Sequence, residues 1–492
     1  MPDINDGDWV QYLQQHEVIE NEEEGIKRKQ VLKLLHNLIA SFQRKVQYNN
    51  DYKRGEIECL LSPFGSYALG GYTKGADIDL VLICPWIVKR NDFFKIVPEL
   101  LKFQPTVRDV EIIKKTAVPI IKCVIDSISI DISFVRLRGE RLKDNLDLLD
   151  DTLLNRIDPV CLASMDGPRV NKFIKEQIRR DHVYIFQKSL QCIKHWATVR
   201  DIYSKPAGYL NGSSWTLLLL KTYLIESVKF KDLSITHLLY SFFETWATWP
   251  WQTPVLFTDF IPGENGTRVS YNELTCFHNA TMPIVSPCYP VSSVAPFVTK
   301  STLKIMTREF QRAQVILNTN TNKQSIMGKL FNPLNYFKRY DNFICITTTS
   351  TTFKSHDIWT RKMQYSLPQF LSFIETCPRV KQIQGMVDPT IVSSQYRTTQ
   401  EYLALQNGAS LNEAKEIGAM GDLNPGVINI IYQFIGVQLI EPDTTVDLTE
   451  ETKSCLALLE SKRNRHDEDV KWAITALKKE GVAKIMGIDT SQ

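Results

Sequence analysis

The sequence predicts an α+β chain in three successive parts: a mixed sheet with helices that carries a chemical site, a mainly helical middle, and a smaller α/β region towards the C-terminal end. Three observations predict it. Short β-rich runs cluster early, at Leu80–Cys84, Val118–Ile125 and Ile128–Val135. Long stretches of helical apolar spacing follow, such as Val170–Trp196 and Ser301–Leu317. After about Phe331, strand-like and helix-like runs alternate.

Composition bounds the function classes. At 492 residues, with 43% apolar and 23% charged residues, the chain is long enough for two to four domains and is not a disordered tail. A net charge of +3 means that any nucleic-acid surface is a local patch, not a global field. Ten cysteines show no Cys-x-x-Cys pair, and several fall in apolar strand-like runs, which suits reduced core thiols and gives no zinc signature. No uninterrupted apolar run approaches about 18 residues and the start is acidic and polar, so the expectation is no membrane and no secretion.

Taken in order, Asn21–Ile39 has helical spacing with acids first and bases later, which suits the helix dipole; its charges read as a solvated face. The stretch from Phe64 to Pro85 reads as a site. Asp77 and Asp79 lie two apart at the start of the run Leu80–Cys84, so on a strand both carboxylates share one face, an arrangement that suits a metal. Gly65 and Ser66 fit a tight turn into a helix start, where free N–H groups and a hydroxyl meet a phosphate. A two-metal phosphoryl-transfer site wants a third carboxylate from a neighbouring strand, and Asp131 is the candidate. The runs flanking Asp126-Ser127 make a hairpin, with Ser129, Asp131 and Ser133 on one face and Ile128, Ile130, Ile132 and Phe134 on the other.

The motif Phe64-Gly-Ser-Tyr-Ala-Leu-Gly-Gly-Tyr-Thr-Lys-Gly-Ala-Asp-Ile-Asp79 resembles the signature of the nucleotidyltransferase superfamily and, through Thr73-Lys74-Gly75, that of the eukaryotic poly(A) polymerases. The likeness covers roughly residues 20–479. It implies a polymerase-beta-like nucleotidyltransferase palm domain with a mixed sheet and helices (18–165), a mainly helical middle nucleotide-binding domain (166–330) and an RRM-like α/β C-terminal RNA-binding domain (331–492). In the implied mechanism Asp77, Asp79 and Asp131 are catalytic and hold two Mg²⁺ or Mn²⁺ ions, with ATP as substrate and an RNA 3′ end as acceptor.

The same resemblance implies the nucleotide contacts. Phe64, Gly65, Ser66 and Thr73 belong to the signature. Lys194, in Ile193-Lys-His-Trp-Ala197, matches a triphosphate-binding lysine, and Tyr203 a nucleotide-contacting tyrosine. Tyr209-Leu-Asn-Gly-Ser-Ser-Trp215 is similar to the family's Leu-Gly-Gly-Val-Ser-Trp turn and points to Gly212 and Ser213 on the adenine side, while Trp215–Leu220 reads as core. Departures stand at Asp166, where the family has asparagine and Arg169 is on hand to compensate; at Thr198, where a second lysine is usual and Arg200 is the nearest base; and at Asn211 and Ser213.

In the last part Phe343–Thr349 reads as a strand, His356–Glu375 as a helix, Val380–Val387 as a strand, Gly426–Leu439 as two short strands and Glu450–Glu460 as a helix, with 393–424 a polar, helix-containing insertion. Over 331–492 there are 17 Lys+Arg against 19 Asp+Glu, so RNA contact would rest on local residues such as Lys338, Arg339 and Tyr340. The implied function is template-independent addition of AMP to RNA 3′ ends in mRNA processing. The implied setting is the nucleus, with the cytoplasm open, as a monomer among cleavage and polyadenylation proteins. A terminal uridylyltransferase or a non-catalytic RNA-binding relative remains open.

Overall fold

The computed structural model describes every residue except 1–3, 51–56, 140–141, 143–145, 320–321, 442–445, 466 and 488–492, and the side chain of residue 265. The chain divides into two compact units. One comprises residues 1–196, 212–294 and 311–330, and the other 197–211, 295–310 and 331–492.

The first unit opens with α1 (Asp6–Gln15) and α2 (Glu22–Asn49). Asn21 starts α2 through a capping box with Glu24, three glutamates occupy its first turn, and Val31, Leu35, Leu38, Ile39, Phe42 and Val46 bury one stripe. Next come β1 (Leu60–Phe64), the one-turn α3 (Gly65–Leu69), β2 (Ile78–Cys84), α4 (Arg90–Lys102), β3 (Val107–Ile113), β4 (Ile120–Ile125) and β5 (Ile128–Arg136). They form one mixed sheet in the order β1-β2-β5-β4-β3, with β2 and β5 parallel and the other pairs antiparallel. The hairpin between β4 and β5 turns at Asp126 (φ 47°) and Ser127 (φ 69°), so both central residues take the left-handed conformation that matches strand twist.

Alternation along the strands decides what covers each face. Leu80, Leu82, Cys84, Ile130, Ile132 and Phe134 are buried with the apolar stripes of α2 and α4. Val81, Ile83 and Val135 point the other way and pack with Cys161 and Met165 of α5 (Pro159–Gln177). The helix expected over 170–196 is two helices, because α5 ends at Gln177 and α6 (Val183–Val199) begins afresh. The break is held by His182, whose ring bonds the Tyr223 hydroxyl and the Lys231 carbonyl, both at 3.1 Å. The unit is completed by α7 (Gly212–Lys229), α8 (Ile235–Thr248), the short pair β6 (Ile261–Pro262) and β7 (Arg268–Val269), part of α9 (Lys300–Thr319), and α10 (Lys323–Leu330). Trp196 meets Trp215 edge-on at 5.7 Å, and Trp215 to Leu220 are buried, as the sequence predicts. Among the described residues no helix is long and apolar enough to cross a membrane.

The second unit holds α11 (Tyr336–Arg339), β8 (Asn342–Ser350), α12 (Phe353–Glu375), β9 (Val380–Gly385), β10 (Thr390–Thr398), α13 (Thr399–Gln406), α14 (Leu411–Gly418), β11 (Leu423–Leu439), α15 (Thr449–Ser461), β12 (Lys471–Lys478) and α16 (Lys479–Met486). Its antiparallel sheet has the order β10-β11-β8-β12, with β9 pairing the far end of β11. The two short strands expected over 426–439 are one continuous strand. Gly436 within it, which suggests a break, is there because a Cβ would stand 2.4 Å from the Tyr340 ring. The segment 393–424 holds the second half of β10 followed by α13 and α14.

Candidate active site

The parallel register of β2 and β5 sets Asp79 against Asp131. Asp77 stands at the entry to the same strand, and carboxylate oxygens of Asp77, Asp79 and Asp131 all lie within 4.8 Å of one another. The sequence reading of these three is therefore reproduced as one cluster. Three like charges at such spacing raise each other's proton affinity unless a cation is present. Burial first, then Asp77 and Asp131, push the Asp79 carboxyl up to about 7, against opposing pulls from Lys122 and Lys194. Asp131 is also raised, by burial and by Asp77, while Lys122 opposes. Oxygen donors alone, crowded and partly desolvated, form a donor set that fits hard divalent cations such as Mg²⁺ or Mn²⁺.

The turn beside the triad is built on backbone geometry. Phe64 faces Asp79 across the antiparallel β1/β2 pair, and Gly65 leaves the strand at φ +68°. A Cβ on Gly65 would stand 2.5 Å from Asp79 Oδ2, so glycine is required twice over, by conformation and by space. Ser66 is in the first turn of α3, which no side chain caps. Asn171 of α5 donates to the Gly65 carbonyl at 2.9 Å. Gly167 of the same helix passes the Phe64 ring, where a Cβ would meet it at 2.7 Å. Thr73 closes the next turn by accepting from Ala76 N at 3.1 Å, with Gly75 at φ +77°.

Two residues anchoring this loop are invisible to motif reading. Arg28 of α2 is 2% exposed, donates to the Ala76 carbonyl at 2.6 Å and clasps Glu20 at 2.6–2.9 Å. The charges of α2 are thus not all a solvated face, since this one fixes the backbone just ahead of Asp77. Lys122 stands opposite Asp131 across β4/β5 with Nζ 3.6 Å from Oδ1. A lysine alternating outward on a strand that pairs with an acid-bearing strand was the available signal.

Lys194, on α6, is 4% exposed and donates from Nζ to the Gly71 carbonyl at 3.0 Å. Burial holds its ammonium down to about 8, with Asp77 and Asp79 pulling the other way. Gly212 and Ser213 form the first turn of α7, with Ser213 exposed. Tyr203 belongs to the second unit, where it is bridged to Leu210.

Four expected helpers are committed elsewhere. Arg169, 2% exposed, pairs with Asp151 and donates to the Leu148 carbonyl at 2.6 Å, so it does not compensate for Asp166 at a nucleotide. Arg200 is buried on Glu309 at 2.9 Å and on the Asn332 carbonyl, and so does not replace a lysine at 198. Tyr340 is 4% exposed with its hydroxyl on Gln384 Oε1 at 2.9 Å, and Arg339 lies 3.8 Å from Glu309, so neither is a surface RNA contact.

Comparison with known proteins places this geometry. Residues 6–178 match the family described as Poly(A) polymerase nucleotidyltransferase domain, and residues 185–333 the one described as Poly(A) polymerase central domain. The chain is 31% identical over 360 residues to Poly(A) polymerase PAPa of Candida albicans, covering 72% of this chain and 63% of that protein. It is 29% identical over 369 residues to Poly(A) polymerase of Dictyostelium discoideum, covering 74% and 45%. Poly(A) polymerase PAPalpha of Candida albicans is 28% identical over 378 residues, covering 76% and 66%. The chain therefore spans between about half and two thirds of the length of these relatives. Among solved structures it is similar to Cid1 poly(U) polymerase with MgGTP bound, at TM-score 0.46 and 18% identity over 66% of this chain and 97% of that one. The likeness to Cid1 in complex with its short product ApU has TM-score 0.46 and 17% identity, over 68% and 100%.

Proposed function

This chain belongs to the poly(A) polymerase family, and from that premise we propose that it is a template-independent polynucleotide adenylyltransferase, transferring AMP from ATP to RNA 3′ ends with release of pyrophosphate. The observation that carries the reading is the approach of three carboxylates, from two paired strands, to within 4.8 Å of one another beside a glycine turn.

Asp77, Asp79 and Asp131 would hold divalent cations, which would supply charge neutralisation at the reacting phosphate and acidify the attacking hydroxyl. The remaining work falls to the protein. Gly65 and Ser66 present a short, uncapped helix start to the triphosphate. Lys194 offers a compact cation to its oxygens. Lys122 restrains Asp131 until the site is loaded. Phe64 and Thr73 shape the turns on either side, while Gly212 and Ser213 at the exposed start of α7 and Tyr203 are assigned to the nucleotide on the strength of the family motif.

We read the chain as three functional domains, 18–165, 166–330 and 331–492. An RRM-like reading of the last is supported by the order β8, α12, β9, β11, α15, β12 and by strands running β12-β8-β11-β9 across the sheet. RNA guidance there, action in the nucleus, mRNA 3′-end processing and partnership with cleavage and polyadenylation proteins as a monomer rest on family likeness.

The test is extension of a short labelled RNA with Mg²⁺ or Mn²⁺ and each nucleoside triphosphate separately, beside an Asp77→Ala, Asp79→Ala double variant. Adenylate tails lost in the variant support the proposal. Uridylate tails keep the mechanism and change the substrate, and absence of any extension by folded protein refutes it.

A further inference from the structure

The loop that runs from α3 to the carboxylates hangs from one face of α6. Gln187, Gln191 and Lys194 stand four and three residues apart, so they share that face. Gln187 Nε2 donates to the Leu69 carbonyl at 2.9 Å, Gln191 Nε2 to the Tyr72 carbonyl at 2.7 Å and Lys194 Nζ to the Gly71 carbonyl at 3.0 Å. These carbonyls end or follow a one-turn helix, where no helical N–H remains to satisfy them. The approach is close enough to need glycine. A Cβ on Gly70 would lie 2.3 Å from Gln187 Nε2, and one on Gly71 would lie 2.4 Å from a Leu190 methyl carbon. Lys188, one turn earlier, donates to Gln191 Oε1 at 3.0 Å, which fixes the amide with its NH₂ towards Tyr72.

The three donors differ in what an incoming ligand does to them. Lys194 carries charge, so a polyphosphate beside the triad competes with the Gly71 carbonyl for its ammonium. The two amides are neutral and have no reason to leave. We propose that Gln187 and Gln191 are positioning residues that keep the 69–72 loop, and through it Asp77, in working geometry while Lys194 turns from Gly71 to an anionic ligand. This rests on the reading that the triad and its turn bind a nucleoside triphosphate.

The substitution Gln191→Glu separates a hydrogen bond from simple filling of space. The introduced carboxyl has the amide's size and donates to Tyr72 only when protonated. Extension rates of the variant and parent, each as kcat and KM for ATP, are compared as a ratio from pH 6 to 9. Loss of one buried donor to a carbonyl predicts a kcat/KM roughly tenfold to a hundredfold below the parent at pH 8.5, with the ratio recovering as pH falls. Gln187→Glu, at a half-buried position, should show the same trend more weakly and serves if the first variant does not fold. Affinity for Mn²⁺ alone, taken as the ratio of variant to parent because protonation of the triad weakens both as pH falls, should be severalfold down at pH 8.5 and approach one towards low pH, which reads the loop even if the parent transfers no nucleotide. A ratio that is flat with pH, or a variant equal to the parent in both kinetics and Mn²⁺ affinity, overturns the assignment.

Discussion

Replacing Asp79 by asparagine should abolish nucleotidyl transfer and, in chelator at pH 8, yield a protein more stable than its parent. Asp79 titrates near 7 in the folded chain because it is buried beside Asp77 and Asp131, whereas an unfolded aspartate titrates near 4. Each pKa unit is worth about 1.4 kcal/mol, so forcing the ionised form costs the fold on the order of 4 kcal/mol once the pH exceeds 7. The sign follows from linkage. Stability from the raised group is fully present below pH ~4, where both states are protonated, and is lost as pH climbs through about 7. Asparagine keeps the shape and removes the charge, so the gain over the parent should grow across that window and level off above it. Thermal melting in chelator from pH 4 to 8.5 should show a rise of a few degrees at the alkaline end for the unit that carries the site. Millimolar Mg²⁺ should then close the gap, because it stabilises only the parent. A gap that does not widen with pH, or an asparagine variant melting below the parent at pH 8, would refute the account of three crowded, only partly compensated carboxylates.

Gly65→Ala should lower kcat at least a hundredfold in the extension assay and also lower the melting temperature, because the new Cβ meets Asp79 Oδ2 and the backbone stands at φ +68°. Arg28→Ala leaves Glu20 buried without its partner and frees the Ala76 carbonyl, so urea unfolding should show a loss of about 3–5 kcal/mol; Arg28→Lys should recover little, since one ammonium cannot span both. Lys122→Met removes the cation that opposes the raised proton affinity of Asp131, so the midpoint of Mn²⁺ binding should move to higher pH than in the parent. Tyr432→Leu should reduce stability in melting yet leave RNA affinity within about twofold, because the ring is buried beneath other side chains rather than presented on an open sheet.

What the sequence made legible follows from how local each signal is. The pairing of Asp77 and Asp79 needs only the two-residue period of a strand, and Asp131 needed only one hairpin, whose Asp126-Ser127 turn has the expected left-handed geometry. The residues that hold these parts in place act at a distance along the chain. Arg28 reaches Ala76, Asn171 reaches Gly65 and Lys194 reaches Gly71, and no spacing rule links such pairs. The charges of α2 were read as a solvated face because most such charges are, and the exception, Arg28, appears only when the helix settles on the loop. Motif glycines carried more than their turn propensity: Gly70 and Gly71 are small because α6 lies against them, and Gly436 because Tyr340 does.

The second unit shows why likeness of topology stops short of function. Its strand order supplies a sheet with α12 against one face, reached through Ile344 and Ile346 of β8. The opposite face, the one that would offer stacking aromatics to a single strand, carries Phe343, Tyr432 and Phe434. Here Tyr336, Tyr340, Leu405 and Val482 close over them, bringing in α11, α13 and α16. A residue cannot both complete a core and stack on a base, so Tyr340 is removed from the RNA-binding candidates by the same packing that explains Gly436. With 17 basic against 19 acidic residues, the stretch 331–492 has no general field for a polyanion either. The aromatic face that its topology suggests is thus closed to RNA, and the exposed basic residues of this sheet stand at its edge, where β12 presents Lys471 and Lys478.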